Sequence, residues 1–520
     1  MTQPELSMLG ALPLPADVPT AIPAARVRPL RQETLGLHGE QLIVPTYDRA
    51  ALVPSVVHFS VGGFHRAHQL LYFDELAQQR ISSDWGVIGV GLHHRLMKDA
   101  LAPQDYLYTV VERSPDGERA RVVGVMIDYH YAPDAPSVVL DALTDERVRM
   151  VTLTITDAGY RLCPQTGAFD ATEADLQHDL EHPGSPRTVF GFITEALDRR
   201  RRAGVPPFTV VSCDNMHRNG DATRAAVVGF ARHRNEVLAR WIADRVAFPS
   251  SMVDRITPQT PPDERARVAR KYGVDDNWPV ITEPFSQWII EDDFCNGRPP
   301  LDQVGVRFVD DVADYELMKT RLLNAAHCAL GYLGSLAGHT RIDELMTVPL
   351  FRDYVVRLMD DEVTPLLPQP DGIDLDDYKR TLLQRFGNPE IGDQLSRLCR
   401  RGSTKMPHHL LPSLHEALAQ GRPHRLLTLA VAAWLRYLRG TDAAGRPVGV
   451  EDAQADTLTA LARLGGNDPR PLLAVRSIFG DLADDPEFIR ELAAALHALD
   501  SDGVEATLDT ILSSPDPLLR

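Results

Sequence analysis

The chain has 520 residues, with 72 acidic against 54 basic side chains and a formal net charge of −18. At roughly 100–200 residues per domain, a chain this long divides into about two to four units. Hydrophobic residues make up 44%, enough for sizeable cores, and the acidic balance argues against binding nucleic acid or an anionic membrane surface, both of which reward positive charge.

Residues 1–35 open the chain with several prolines and without an early basic region or a continuous apolar stretch, so they read as a flexible leader and not a signal peptide. No run of roughly 18 apolar residues follows, and no membrane span is expected. The five cysteines, Cys163, Cys213, Cys295, Cys328 and Cys399, are odd in number and lie far apart without a C-x-x-C. A reducing, cytoplasmic setting fits them better than a disulfide framework or a zinc ribbon.

From about 50 to 260 the texture alternates. "SVVHFSV", "WGVIGVGL", "VRMVTLTIT" and "FTVVSCDN" read as buried strands, and stretches 64–79 and 223–246 as helices. Strands alternating with helices imply βαβ units and a mostly parallel, Rossmann-type sheet, an α/β fold. "YTVVERS" and "RVVGVMIDYHYA" look like an added hairpin. Beyond about 310 nearly every pattern is helical. The expected division is a leader over 1–35, a dinucleotide-binding domain over 36–308 and a mostly α-helical substrate and catalytic domain over 309–520.

The first strong strand runs into "SVGGFHRAH". Glycines in a βα turn let the backbone approach a pyrophosphate. The G-x-G-x-x-G pattern is not met, because Ser60 takes the first glycine place and Arg66 the last, around Gly62, Gly63 and Phe64. The turn is therefore either a cofactor site or a tight structural corner. The second strand ends in His93, His94 and Arg95, with no carboxylate for a ribose 2′-hydroxyl. These are either surface loop residues or groups suited to a 2′-phosphate.

"YELMKTRLLNAAH", 315–327, is a helical stretch. At about 100° per residue, Lys319, Glu316, Thr320, Asn324 and His327 share an arc of about 140°. Such an arc is either the solvated face of an amphipathic helix or the working face of an active site. In the second reading, a lysine in a partly dry pocket takes a hydroxyl proton, an asparagine amide stabilises the developing alkoxide, and a histidine orients a neighbouring hydroxyl. No metal is needed. The chain's histidines, His65 and His68 among them, lack the cysteines or carboxylates that would complete a tetrahedral set.

Lys319-x4-Asn324-x2-His327 resembles the active-site motif of the polyol-specific long-chain dehydrogenase/reductases. "VHFSVGGFHRAHQLLYFDEL" is similar to that family's cofactor turn, "TLTITDAGY" to its T-x-T-E-x-G-Y strand with Asp157 in place of Glu, and "VVSCDNMHRNG" to its S-C-D-N-M segment. "FPSSMVDRITP" and "GSTKMP" match two further segments. The motifs occur in order from about residue 55 to 410.

The resemblance implies a zinc-independent oxidoreductase that interconverts a polyol and a ketose with NAD, or with NADP. D-Mannitol and D-fructose are the first expectation, with a fructuronate reductase or an arabinitol or sorbitol dehydrogenase as alternatives. It implies Lys319 as the acid/base, Asn215 and Asn324 as the oxyanion site and Glu316 as the proton passage to water. Asp254, His327, Arg397 and Lys405 would hold the substrate. Ser60, Gly62, Gly63, Phe64, Arg66, Thr154 and Thr156 would hold the cofactor. The partner is a small polyol or ketose, and the protein is expected to be a monomer or a weak homo-oligomer.

Overall fold

The computed structural model describes residues 27–38, 41–163 and 166–513. The first 26 residues of the expected leader lie outside the described set. Its remainder is not a free tail. Arg28–Pro29 pairs in parallel with Val274–Asp275, and Leu30 and Leu35 are buried with Val268 and Tyr272. These two leucines supply apolar area that the proline-rich composition concealed.

The chain forms two compact units, dividing between Ala313 and Asp314. In the first, β1 (Pro54–Phe59), β2 (Gly86–Gly91), β3 (Met126–Tyr131), β4 (Met150–Leu153) and β5 (Thr209–Ser212) form one sheet in the order β3-β2-β1-β4-β5. Every pairing is parallel. This is the doubly wound, Rossmann-type arrangement, which turns back between β1 and β4, where such sheets take their ligands. The strands are buried on both faces. Val57, Phe59, Val151 and Val210 pack with Phe192, Ile193 and Phe230, while Val56, Val87 and Val211 pack with Leu70, Phe73 and Trp288. That explains their reading as continuous apolar runs.

Three expectations change in detail. Tyr108–Ser114 and Gly117–Val123 do form an antiparallel hairpin, but the end of "RVVGVMIDYHYA" leaves it to become β3. The helix over 64–79 divides into Gly63–Ala67 and Gln69–Gln78 at His68. The His68 ring donates from Nε2 to the Gln287 carbonyl (2.9 Å) and accepts at Nδ1 from the Gln69 amide (2.9 Å), which pins the break. The helix over 223–246 divides at Asn235, whose side-chain oxygen accepts from the backbone N–H of Val237 and Leu238. A side-chain acceptor of this kind starts a new helix.

The second unit is almost wholly helical. Ala325–Leu336 is buried nearly all round and packs on Arg425–Tyr437, which packs in turn on Pro486–Ser501. Leu330, Leu333, Leu429, Trp434, Leu492 and Leu496 lie in this one core. A helix apolar on every side belongs in the middle of a bundle. Among the described residues no helix is long and apolar enough to cross a membrane.

Candidate active site

In the first unit, β1 runs into Ser60, which has φ 70°. That left-handed conformation is the one a glycine adopts without strain, which accounts for the glycine usual at this place. Ser60 is held on both sides. Its N–H donates to the Val90 carbonyl (2.8 Å), and its carbonyl accepts from the Thr154 hydroxyl (2.8 Å). Beneath the turn, His58 bonds Thr152 and Thr154 through its two ring nitrogens (2.7 and 3.0 Å) and stacks on His65. Burial pushes His58 down to about 3, so it is neutral at physiological pH. A methyl group added at Gly62 would have only the Ser60 carbonyl within reach (3.9 Å), and one at Gly63 only Thr257 (3.9 Å). The turn is thus tightly held from below and open above, which fits the backbone approach that a pyrophosphate needs.

Arg66 departs from expectation. Its side chain is fully buried, donates to the Trp278 carbonyl and lies over the Tyr108 and Trp278 rings. Its side chain belongs to the core. Phe64 stacks on His68. Thr156 is exposed, with φ 64°, and its N–H donates to Asp214 (2.8 Å).

Asp214 organises the motif around Asn215. Its carboxylate also accepts from the Ile155 N–H (2.9 Å) and the Tyr160 hydroxyl (2.7 Å), and burial raises its pKa. Asn219 donates to the carbonyls of Asp214 and Ser251 (3.0 and 2.8 Å) and accepts from the Ser251 N–H (2.9 Å). A methyl group at Gly220 would come within 2.3 Å of the Phe248 carbonyl. The asparagine–glycine pair therefore clamps the β5 loop to the next strand, β6 (Ser251–Asp254). Asn215 is exposed just beyond β5, and Asp254 ends β6 at 3% exposure. The neighbour Arg255 ion-pairs with Glu112 (2.5 Å) and donates to the Ala67 and Glu283 carbonyls.

In the second unit, the stretch 313–336 is α-helical at both ends, but Lys319–Asn324 is a π-helical turn. Bonding of i to i+5 stacks residues five apart, and such turns gather at functional sites. Lys319 and Asn324 are five apart, so the wheel drawn at about 100° per residue spread them too widely. Glu316 lies three before Lys319, and His327 three after Asn324, both neighbouring positions in α-helical geometry. Lys319 and Glu316 are each 6% exposed. This is not a solvated face.

Asn324 Nδ2 and His327 Nε2 are buried without a hydrogen-bond partner. Burial, followed by the cations of Arg397, Arg385 and Lys405 and then His409, holds the His327 imidazole well below its usual range. Its ring lies 4.7 Å from that of Phe386. Lys405 is lowered by burial and donates to the Arg397 and Leu398 carbonyls (3.3 and 3.0 Å). Arg397 is clamped by both carboxylate oxygens of Asp393. The unit brings together His327, Arg397 and Lys405, and adds Arg385, Phe386 and Asp393. The Asp393–Arg397 spacing of four was a legible signal for one of these; "QRFGN" carried none. Among the described residues no three histidine, cysteine or acidic side chains gather as a metal site.

Two family models cover the chain: the mannitol dehydrogenase Rossmann domain over 54–303 and the mannitol dehydrogenase C-terminal domain over 311–500. The chain belongs to the mannitol dehydrogenase family. Mannitol 2-dehydrogenase of Aspergillus fumigatus is 46% identical over 479 residues, spanning 90% of this chain and 95% of that protein. The Pyrenophora tritici-repentis relative of the same name is 44% identical over 503 residues, 95% of this chain and 88% of that one. Among solved structures, Pseudomonas fluorescens mannitol 2-dehydrogenase, a ternary complex with NAD and D-mannitol, matches with a TM-score of 0.86 and 43% identity over 94% of this chain and all of that one. A substrate-free D-sorbitol dehydrogenase matches at 0.84 with 33% identity over 92% of this chain and all of that one. In this chain a Rossmann unit precedes a largely helical one, in the order of the two matched models.

Proposed function

We propose that this protein is an NAD-dependent mannitol 2-dehydrogenase that oxidises D-mannitol to D-fructose and catalyses the reverse reduction. The carrying observation is the 43% identity over 94% of the chain with an enzyme whose structure holds NAD and D-mannitol. The column of Lys319, Asn324 and His327 on the π-interrupted helix supplies the chemistry.

Ser60, Gly62, Gly63 and Phe64 form the turn against which the cofactor phosphates lie, with Thr154 holding the turn and Thr156 bordering it. NAD, when bound, supplies the acceptor for hydride from the carbinol carbon. Lys319 takes the hydroxyl proton during oxidation and returns it during reduction. Asn324 donates to the oxygen as it gains negative charge, which gives the orphan Asn324 amide a partner. Glu316, one turn before the lysine, relays the proton to water. His327 and Asp254 take substrate hydroxyls. With a base and charge-stabilising donors in place, proton handling needs no metal ion.

Arg397 and Lys405 hold the far end of the polyol. Arg397 is already neutralised by Asp393, and burial disfavours the charged form of Lys405. We place the enzyme in the cytoplasm, where cysteine side chains stay reduced, as a monomer or weak homo-oligomer. The test is nicotinamide absorbance with D-mannitol, D-sorbitol, D-arabinitol, D-fructose and D-fructuronate. Turnover of mannitol and fructose supports the reading. Turnover of fructuronate alone overturns it.

A further inference from the structure

The dinucleotide reading leaves one part of the first unit unexplained, the loop beyond β2. In a doubly wound sheet this strand end meets the adenosine ribose, and a carboxylate there selects the free 2′-hydroxyl while an arginine accommodates a 2′-phosphate. Leu92, His93, His94 and Arg95 follow β2 and bring no carboxylate. His93, His94 and Arg95 are exposed. Arg95 reaches Asp99 (3.0 Å) and the carboxylate of Asp134, which lies just beyond β3, and Lys98 reaches Asp134 as well (3.3 Å). Two cations and two carboxylates thus cancel at the place where cofactor choice is made. Leu96, just beyond the loop, is exposed (64%).

We infer, resting on the NAD reading above, that Arg95 accepts a 2′-phosphate and that the enzyme binds NADP(H) alongside NAD(H), with Asp134 and Asp99 as the competing anions that set the balance. Ion pairs between exposed side chains are weak and screened by salt. A phosphate offers the planar guanidinium a two-point, charge-assisted contact, so exchanging Asp134 for the phosphate is favourable. Asp134 holds both Arg95 and Lys98, so it is the stronger brake.

The experiment measures dissociation constants of NADH and NADPH for the full-length protein, from nicotinamide fluorescence and without substrate. The expected wild-type ratio of the NADPH constant to the NADH constant lies within about tenfold. Arg95→Ala should raise that ratio by about tenfold or more, and Asp134→Asn should lower it by about threefold or more, both effects shrinking with added salt. A wild-type ratio above about a hundredfold, or a ratio unmoved by either substitution, overturns the inference while leaving NAD binding intact. If neither nucleotide binds, the proposed function fails first and takes this inference with it.

Discussion

Two groups of buried polar side chains, one in each unit, are satisfied differently. Around β5 in the first unit, Asp214 accepts from two backbone N–H groups and a tyrosine hydroxyl, and Asn219 uses both ends of its amide. On the π-interrupted helix of the second unit, Asn324 and His327 each leave a buried nitrogen with no partner. Buried polar atoms are nearly always paired, and each exception asks for an explanation. The paired set holds loops in place. The unpaired set is what a polyol's hydroxyls would complete. Neither composition nor motif separates the two, because "SCDNMHRNG" and "KTRLLNAAH" are both rich in polar residues.

That contrast can be broken by substitution. The largest effect is expected from Lys319→Ala, which should lower kcat by about 10²–10⁴-fold while NADH still binds with its wild-type dissociation constant. Turnover near the wild-type rate would remove Lys319 as the base. Asn324→Ala should lower kcat by about 10²–10³-fold with little change in thermal stability, because its Nδ2 makes no internal bond. A large fall in melting temperature with kcat preserved would assign Asn324 to the fold instead.

In the first unit the expectation reverses. Gly220→Ala should destabilise by about 1–3 kcal/mol in denaturant titration, since the new methyl meets the Phe248 and Pro249 backbone. The surviving folded enzyme should keep its kcat. The pH effect is graded over several units. His58 has its pKa held at about 3 against 6.5 outside the fold. Between those values the unfolded chain binds more protons than the native one, so stability rises with pH across that window. Acidification below 6.5 should remove up to about 1.4 kcal/mol per pH unit through this one group, levelling off near pH 3. A denaturation midpoint that is flat between pH 7 and 5 would contradict a buried neutral His58.

Much of this was legible along the chain. Four apolar strands, their alternation with helices and the change to helical texture near 310 follow from local periodicity, which the sheet and the bundle then obeyed. The ordered motifs located the turn at Ser60 and the helix at Lys319. Legibility ended where distant segments meet. Arg66 matched a glycine-motif position but belongs to the core, because Tyr108 and Trp278 come from strands and loops far along the chain. Residues 28–35 looked like leader because their strand partner lies at Val274–Asp275.

By itself the sequence determined the alternation of elements, the residue types available for proton transfer and the absence of a carboxylate after β2, all of which depend on neighbours within a few positions. Tertiary structure alone decided which of the polar groups are spent. The π turn changed which residues share a face, Asp393 and Asp134 paired with cations that looked free in the sequence, and burial lowered the pKa values of His58, His327 and Lys405. The physical reason is common to all three. Desolvation and pairing depend on what lies across space, and a linear pattern carries only what lies next along the chain.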